Sequence, residues 1–501
     1  MGVIQRQGFK SSIVSYIGVA IGAVSTIYVY PKALEILGLF RAMFDGAVLI
    51  GIIVLLGSSI SAVRFFPKYK DEASGHNGFL TWLFMVAGSG FILFLLAFPF
   101  IRHWMSHYIF HGLNQEYEQY VYYLIPLTFF ISLMNLLSRY ISNFRRVTIP
   151  AALEQLGIKI ILPLLMLMYI AGWINVSGVL IGITASFAFS AFGLMYYLIH
   201  LGELRLKKPV IWKDKPALKE YTNYSWYGLL AGIGSQVAFK IDSIMVSSMI
   251  RFEATGIYTI AWALSEVIIK PMRSLTSIAG PVVAHHIEAG NLDEVKNIYK
   301  KSSLNMTIIG VGLFLLIWTV LPYLFAIMPR TDIMMQGIYV VFFLGLAQVW
   351  DMMTGVNTEI IYYSKFYRFN LYLTLFLAAL TISANLVFIP MYGLTGAALA
   401  TCSSMFIFNM AKLIFIKIKF GFFPFNNRMF FIIGFGLAAW LLSKWIPPTG
   451  HPYLDTFVKG TIFSVLYGIT IWKLNFSPDI NHWVGLALNR VKRLISPKTN
   501  S

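Results

Sequence analysis

The sequence predicts an all-α polytopic membrane protein with about fourteen transmembrane helices, arranged as two six-helix lobes and two further C-terminal helices. The first observation is composition: 58% of the 501 residues are hydrophobic and 12% are charged, whereas about a quarter of the residues in soluble proteins are charged. The second is the length of the apolar segments, which exceeds that of barrel strands and leaves helices to satisfy the backbone polar groups in lipid. The third is an internal repeat, which predicts the two lobes.

Apolar segments of spanning length follow one another along the chain, separated by charged residues or by Pro and Gly. The first half is predicted to contain helices near residues 11–30, 42–63, 78–101, 117–140, 150–174 and 178–200. The remaining helices are predicted near residues 224–249, 257–281, 303–328, 335–362, 370–390, 393–417, 429–446 and 456–473. A basic segment at residues 202–220 separates the two halves.

Lys and Arg residues are concentrated in alternate loops. Counted from the N-terminus, these loops include Arg6 and Lys10 and the basic segment at 202–220, whereas the opposite loops carry few cations, among them Arg41 and Lys459. The positive-inside rule therefore predicts that both termini lie in the cytoplasm. The same rule accounts for most of the net charge of +18, so we expect no nucleic-acid partner.

Two landmarks recur at one offset of 218 residues. The tripeptide Gly38-Leu39-Phe40 after the first span is matched by Gly256-Ile257-Tyr258 after the seventh, and Ser177-Gly178 is matched by Thr395-Gly396. An even number of spans in each copy makes the repeats parallel, with a central cavity between them. The predicted parts are an N-terminal lobe (1–215, helices 1–6), a C-terminal lobe (216–420, helices 7–12) and a segment (421–501) holding helices 13 and 14 and an amphipathic cytoplasmic tail.

Charged residues lie inside two consecutive predicted spans, between residues 239 and 281. Ionisable side chains within a span are costly unless they face a protein interior or a watery cavity. In the second of these spans Glu266, Lys270 and Arg273 fall at i, i+4 and i+7 and share one helix face. In the first, Lys240 precedes Asp242, and Lys240 lies at the depth of Glu266, about 15 Å below the turn. We therefore expect Lys240 and Glu266 to pair.

Further candidates for the wall of a polar cavity lie elsewhere. Arg139 shares a polar stripe with Asn135, Ser138, Ser142 and Asn143, and Lys159 follows Gln155 by one turn. The expected acidic partners of the cations are Asp242, Glu266 and Asp351. For Arg139, Lys159, Arg273 and Lys412 the alternative is a side chain that snorkels to the cytoplasmic headgroups.

Three segments carry a family resemblance. The segment from Asn385 to Thr401, NLVFIPMYGLTGAALAT, resembles the signature between spans eleven and twelve of the Wzx-type polysaccharide (O-antigen repeat unit) flippases. Asp242, Gly256-Ile257-Tyr258 and Pro281 resemble the seventh and eighth spans of that family. The family belongs to the superfamily that also contains the multidrug/toxin extruders and the lipid II flippases.

The resemblance implies a V-shaped bundle of two six-helix lobes in the bacterial inner membrane. Such a protein moves undecaprenyl-diphosphate-linked oligosaccharides from the cytoplasmic to the periplasmic leaflet by alternating access. The implied partners are this lipid-linked cargo, the membrane lipids and, as a candidate, the polysaccharide polymerase machinery. The first lobe departs from the pattern because it is poor in buried charge: the positions 218 residues before Lys240, Glu266, Lys270 and Arg273 are Gly22, Val48, Ile52 and Leu55.

The residues themselves favour a flippase over two other classes. Lys and Arg can replace water around a diphosphate, as a point charge and as a bidentate donor respectively. A polymerase or glycosyltransferase would need outer carboxylates or a large outer loop, so we expect no enzyme, no catalytic residue and no cofactor. A multidrug extruder for cations would need acidic residues in its cavity, and the first span has none. Lipid II transport is the alternative within the flippase class.

His103, His107 and His111 recur every four residues beside Trp104 and Tyr108. This spacing could bind a metal or sense pH, and the alternative is a belt of aromatic residues at the membrane interface. We favour the belt and predict no metal site. The single cysteine, Cys402, excludes an internal disulfide and a cysteine zinc site.

Overall fold

The computed structural model describes residues 18, 20–146, 148–482 and 485, and in these residues the chain is helical with no β-strand. The first half contains α1 (20–24), α2 (Leu34–Val54), α3 (Ser58–Tyr69), α4 (Phe79–Tyr108), α5 (Leu124–Ser142), α6 (Thr148–Leu156), α7 (Leu162–Ile170) and α8 (Val176–His200). The rest contains α9 (Lys215–Met249), α10 (Phe252–Glu288), α11 (Leu292–Ile327), α12 (Thr331–Met334), α13 (Ile338–Met353), α14 (Asn357–Tyr363), α15 (Tyr367–Phe420), α16 (Asn427–Lys444) and α17 (Pro452–Lys473).

Eleven helical stretches in the described part of the chain are long and apolar enough to cross a membrane. Two of them each contain a break that separates two spans. The stretch Ala20–Val54 is broken at Ala33, which has φ −134° and ψ 54°, and α15 is broken at Gly393, whose φ of 56° and ψ of −132° suit glycine alone. With α16 as a further helix of 18 residues, the predicted all-α polytopic fold is confirmed.

The first reversal of the chain is tighter than the sequence predicts. A π-helical turn at Ser25–Val29 and a 3-10 turn at Tyr30–Ala33 lead directly into α2 at Leu34. Pro31 near the start of the 3-10 turn fixes its backbone, so no separate loop is needed. The expectation that Arg41 lies in an outer loop is therefore wrong: Arg41 lies two turns inside α2.

A reciprocal backbone contact joins the starts of α2 and α10. A Cβ atom on Gly38 would overlap the carbonyl oxygen of Phe252, and a Cβ atom on Gly256 would overlap the carbonyl oxygen of Leu34. Leu34 and Phe252 are separated by the same 218 residues as Gly38 and Gly256. Contacts exchanged between equivalent positions are typical of a two-fold relation, which supports a parallel repeat.

The chain packs into two compact units. Unit 1 comprises Met1–Ile260 and Ala378–Leu394, and unit 2 comprises Ala261–Leu377 and Thr395–Ser501. The predicted boundary at residue 215 follows the repeat rather than the packing, because α9 packs on α2 and α3 within unit 1. The division into 1–215, 216–420 and 421–501 stays a prediction.

Helices α16 and α17 pack on α11 inside unit 2. Phe463 and Tyr467 of α17 belong to the same buried core as Val311 of α11 and Ile432 of α16, and the Tyr467 hydroxyl donates to the Ile308 carbonyl at 2.8 Å. The tail begins as predicted, since the Ser477 hydroxyl accepts from the backbone N–H of Ile480 at 3.4 Å. Most of the predicted tail helix lies outside the described residues.

Candidate functional site

Unit 1 contains a cavity of about 430 Å³ between α2, α5, α6 and α8. Its charged lining residues are Arg139 and Glu154. The polar and apolar residues that complete the lining are Asn135, Ser138, Ser142, Phe44, Val48, Ile131, Met134, Pro150, Ala151, Ile158 and Phe187. Such a volume falls within the roughly 300–1,000 Å³ typical of small-molecule sites. We call it the unit 1 cavity.

Helical periodicity places the polar wall of the unit 1 cavity. Residues 135, 138, 139 and 142 share one face of α5, and the opposite face carries Leu136, Leu137, Tyr140 and Ile141, which are buried. Arg139 is exposed and Glu154 is half-buried. Neither forms an ion pair within 4.0 Å in the described part of the chain. The guanidinium of Arg139 is thus available to an anion in the cavity.

Asp45 in α2 organises a cluster of charges that the sequence analysis missed. It is fully buried, and its carboxylate accepts from Arg41 Nε at 2.6 Å, from Lys240 Nζ at 2.6 Å and from Ser243 Oγ at 2.7 Å. A buried carboxylate needs such donors to offset its loss of water. The expectation that the first half is poor in buried charge is corrected by Asp45, which lies one turn before the compared position Val48.

Lys240 links the Asp45 cluster to the unit 1 cavity. Its ammonium lies 5.2 Å from the centroid of the Phe44 ring, and Phe44 stacks on Phe187 with 5.8 Å between the ring centroids. Both rings line the cavity. One carboxylate therefore holds two cations, Arg41 and Lys240, beside an aromatic wall of the cavity.

Lys240 and Glu266 each have a partner within their own unit. Lys240 pairs with Asp45 in unit 1, and Glu266 Oε1 accepts from Arg273 at 2.7 Å in unit 2. The sequence analysis foresaw neither pair. The predicted Lys240–Glu266 pair stays a prediction.

The predicted polar stripe of α10 is present on one helix face. The side chain of Arg273 is 63% exposed and that of Glu266 is 34% exposed, and Lys270, which lies between them, is also exposed. In the described residues Lys270 has no ion-pair partner within 4.0 Å. That Lys270 and Arg273 face a central cavity stays a prediction.

Asp242 unites the three segments that carry the family resemblance. The Tyr258 hydroxyl donates to Asp242 Oδ2 at 2.9 Å, and Asn385 Nδ2 donates to Asp242 Oδ1 at 2.6 Å. Asp242 is only 1% exposed. Both oxygens of its carboxylate thus have protein donors, so the contacts of Asp242 join α9, α10 and the first part of α15.

Lys159 lies on a π-helical turn, Gly157–Ile161, that interrupts the span formed by α6 and α7. Its ammonium donates to Gln155 Oε1 at 2.8 Å, as the one-turn spacing predicts. Ile158, beside it in the chain, lines the unit 1 cavity. π-Helical turns occur frequently at functional sites, and Lys159 stays a candidate for this one.

Asp351 lies in a polar cluster inside unit 2. It accepts from Asn409 Nδ2 at 2.9 Å. Lys412 donates to the Thr358 hydroxyl at 2.8 Å and lies 3.9 Å from the centroid of the Phe408 ring. Because Lys412 is only 3% exposed, the alternative that it snorkels to the headgroups is wrong.

His107 and His111 line a separate open cavity with Ser106, Gln115 and Glu118. The Ser106 hydroxyl donates to Glu118 Oε1 at 2.8 Å. No group of three His, Cys, Asp or Glu suited to a metal ion occurs in the portion of the chain described. The choice between an aromatic belt and a pH sensor stays a prediction.

Comparison with known proteins adds a family and a fold. Residues 34–284, just over half of the chain, match the family described as polysaccharide biosynthesis protein. No curated protein matches the chain. The structure resembles that of the lipid II flippase MurJ in an inward closed conformation, at 13% identity and a TM-score of 0.71, over 93% of this chain and 99% of that chain.

Two further solved structures share the fold. A multidrug resistance MATE family transporter of the MOP superfamily, inward-facing, matches at 14% identity and a TM-score of 0.61, over 84% of this chain and 95% of that chain. A MOP superfamily transporter from Pyrococcus furiosus matches at 14% identity and a TM-score of 0.54, over 83% and 95%. At these identities the likeness establishes a MurJ- and MATE-like fold of a multi-pass membrane protein. Given the match over residues 34–284, the chain belongs to the polysaccharide biosynthesis protein family.

Proposed function

We propose that this protein is a flippase for undecaprenyl-diphosphate-linked saccharide repeat units, which it moves from the cytoplasmic to the periplasmic leaflet of the bacterial inner membrane. The observation that carries the proposal is the unit 1 cavity, with the unpaired guanidinium of Arg139 in its lining and the ammonium of Lys240 beside its aromatic wall. Membership of a polysaccharide biosynthesis family supports the saccharide, and the shared fold of lipid and drug transporters supports transport over catalysis.

The chemistry of the unit 1 cavity suits such a cargo. A diphosphate cannot cross hydrocarbon without groups that replace its water, and a guanidinium binds phosphate oxygens with two parallel hydrogen bonds. The hydroxyls of Ser138 and Ser142 and the amide of Asn135 offer donors and acceptors to sugar hydroxyls. The rings of Phe44 and Phe187 offer flat apolar surfaces to the less polar faces of the cargo.

We assign the substrate-binding roles in two groups. Arg139 and Lys240 are the proposed first contacts of the diphosphate, with Lys159 as a neighbouring cation. Lys270 and Arg273 on α10 are proposed as further cations on the path of the cargo, with Glu266 balancing Arg273. Asp242 and Asp351 are proposed to position the helices that carry these groups, because protein amides already donate to both carboxylates.

A reconstituted transport assay tests the proposal. Proteoliposomes would carry a fluorescent undecaprenyl-diphosphate-linked oligosaccharide or, in parallel, fluorescent lipid II, and a membrane-impermeant quencher would report the fraction that crosses. We expect transport of the oligosaccharide, and at least a tenfold lower rate for Arg139→Gln. Arg146→Gln is the matched control, because Arg146 is exposed, follows the same helix and is not part of the cavity lining.

Complementation of two strains separates the proposal from its alternative. We expect the gene to restore surface polysaccharide in a strain that lacks its polysaccharide flippase, and not to support growth of a strain depleted of its lipid II flippase. Growth of the second strain together with faster transport of lipid II would assign the alternative. Equal transport rates for Arg139→Gln and Arg146→Gln would remove the unit 1 cavity from the mechanism.

A further inference from the structure

A second cavity, of about 220 Å³, lies in unit 2 at one end of the helices α11, α16 and α17. Its walls come from the last turns of α11 and α16, the first residue of α13 and the second turn of α17. We call it the unit 2 cavity, and its lining residues are Trp318, Thr319, Pro322, Tyr323, Ile338, Trp440, Ser443, Lys444 and Lys459. It contains two lysines and no acidic residue.

Lys459 is the buried cation of the unit 2 cavity. It is only 5% exposed, and its ammonium donates to the Tyr323 hydroxyl at 2.6 Å. Within the described residues no carboxylate lies within 4.0 Å of it. Asp455, one turn earlier in α17, accepts instead from the backbone N–H of Thr449 at 2.7 Å. A buried ammonium with one neutral partner is strongly unfavourable, so the cavity lacks an anion.

The other polar groups of the unit 2 cavity are also donors. Tyr323 uses its oxygen to accept from Lys459, which leaves its O–H proton to donate. Lys444 is exposed at the rim, with its ammonium 4.9 Å from the centroid of the Trp440 ring. Two ammonium groups and one phenolic O–H therefore converge on a space of about 220 Å³. Phosphate oxygens are the acceptors that such donors bind best.

The surroundings of the unit 2 cavity indicate where the phosphate comes from. At the same helix ends Trp445 is 83% exposed, Phe457 is 72% exposed and Tyr453 is 60% exposed. Exposed aromatic residues at the ends of membrane helices lie at the level of the lipid headgroups. Lysines in pockets between helix ends bind anionic headgroups at that level.

We propose that the unit 2 cavity binds the phosphate of an anionic phospholipid headgroup through Lys459, Lys444 and Tyr323. The headgroup completes the charge balance of the last two helices by placing an anion beside Lys459. This site is separate from the proposed transport of saccharide, and its test needs no transport.

Lipid binding to the purified full chain in detergent tests the site. Native mass spectrometry would count bound lipids during titration with phosphatidylglycerol, phosphatidylcholine or inorganic phosphate, and the apparent melting temperature would be followed in the same series. We expect phosphatidylglycerol to bind and to raise the melting temperature, and Lys459→Met and Lys444→Gln each to lower its apparent affinity at least tenfold. Lys473→Met is the matched control, because it removes the same charge at the opposite end of α17.

The control arms keep the proposal falsifiable. Lys444→Gln changes an exposed residue, so it provides the answer if Lys459→Met does not fold. Equal effects of phosphatidylcholine and phosphatidylglycerol would overturn the proposal. Equal stabilisation by inorganic phosphate would assign a free phosphate instead of a lipid. Unchanged lipid affinity in Lys444→Gln would also overturn it.

Discussion

Asp45 binds cations from two helices, Arg41 one turn earlier in α2 and Lys240 in α9. We predict that Asp45→Asn destabilises the protein, because the neutral amide leaves two cations without their buried partner. Breaking a buried ion pair from one side typically costs about 3–5 kcal/mol. The apparent melting temperature of the purified protein in detergent should therefore fall by several degrees.

The matched control for Asp45→Asn is Glu220→Gln. Glu220 pairs with Lys68 at the same distance of 2.6 Å, but both side chains are about half exposed, at 51% and 53%. Such surface pairs contribute about 0–1 kcal/mol, so the melting temperature should hardly change. Equal shifts in the two variants would contradict the role given to Asp45.

At the residue scale, periodicity predicted more than pairing. The stripe at Asn135, Ser138, Arg139 and Ser142 was predictable because four positions on one helix suffice to define a face. The partner of Lys240 was not predictable, because Asp45 lies 195 residues away and depth alone does not determine which helices are neighbours. Asp45 itself was obscured because its own neighbour in the sequence, Arg41, appeared to belong to a loop.

Helices α2 and α10 approach so closely that only glycine fits at their contact. We predict that Gly38→Ala destabilises the protein, because the added methyl group would overlap the Phe252 carbonyl oxygen and the two helices would have to separate. Overpacking of this kind typically costs about 1–3 kcal/mol. The yield of monodisperse protein on size exclusion and its melting temperature should both fall.

Gly22→Ala provides the control for the glycine contact. Nothing lies within 4 Å of a Cβ atom built on Gly22, and alanine is favoured over glycine within helices. This variant should be as stable as the wild type or more stable. If Gly38→Ala behaved like Gly22→Ala, the close approach of α2 and α10 would be refuted.

At the element scale, hydropathy located the spans and missed their ends. It separated the two spans of α15 correctly because Pro390 and Gly393 both disfavour a continuous helix. It began the second span near residue 42, eight residues after the true start at Leu34. The reason is physical: a π turn and a 3-10 turn reverse the chain within the membrane, and hydropathy registers apolar length without registering helix type.

At the scale of the whole molecule, the membrane potential can drive the proposed transport. The diphosphate carries roughly two negative charges out of a negative cytoplasm, and each charge gains about 2.3 kcal/mol per 100 mV. We predict that transport in proteoliposomes with an ion-clamped potential is faster when the cargo's starting side is negative. Lys270→Ala and Arg273→Ala should each lose transport while expression and membrane insertion persist.

The control for these two variants is Lys300→Ala. Lys300 is an exposed lysine of α11 in a predicted cytoplasmic loop, away from the proposed path, so its transport rate should match the wild type. Rates that do not depend on the sign of the potential would refute the driving force. Intact transport in Lys270→Ala and Arg273→Ala would remove α10 from the path.

The reciprocal contact of Gly38 with Phe252 and of Gly256 with Leu34 also limits how the sequence can evolve. Two side chains in contact can exchange volume, since one can shrink when the other grows. Here each glycine meets a carbonyl oxygen, and no substitution makes a carbonyl oxygen smaller. A larger residue at either position therefore has no compensating partner across the contact. The two positions do not covary with each other, and a lineage that loses one glycine regains the contact only by restoring it.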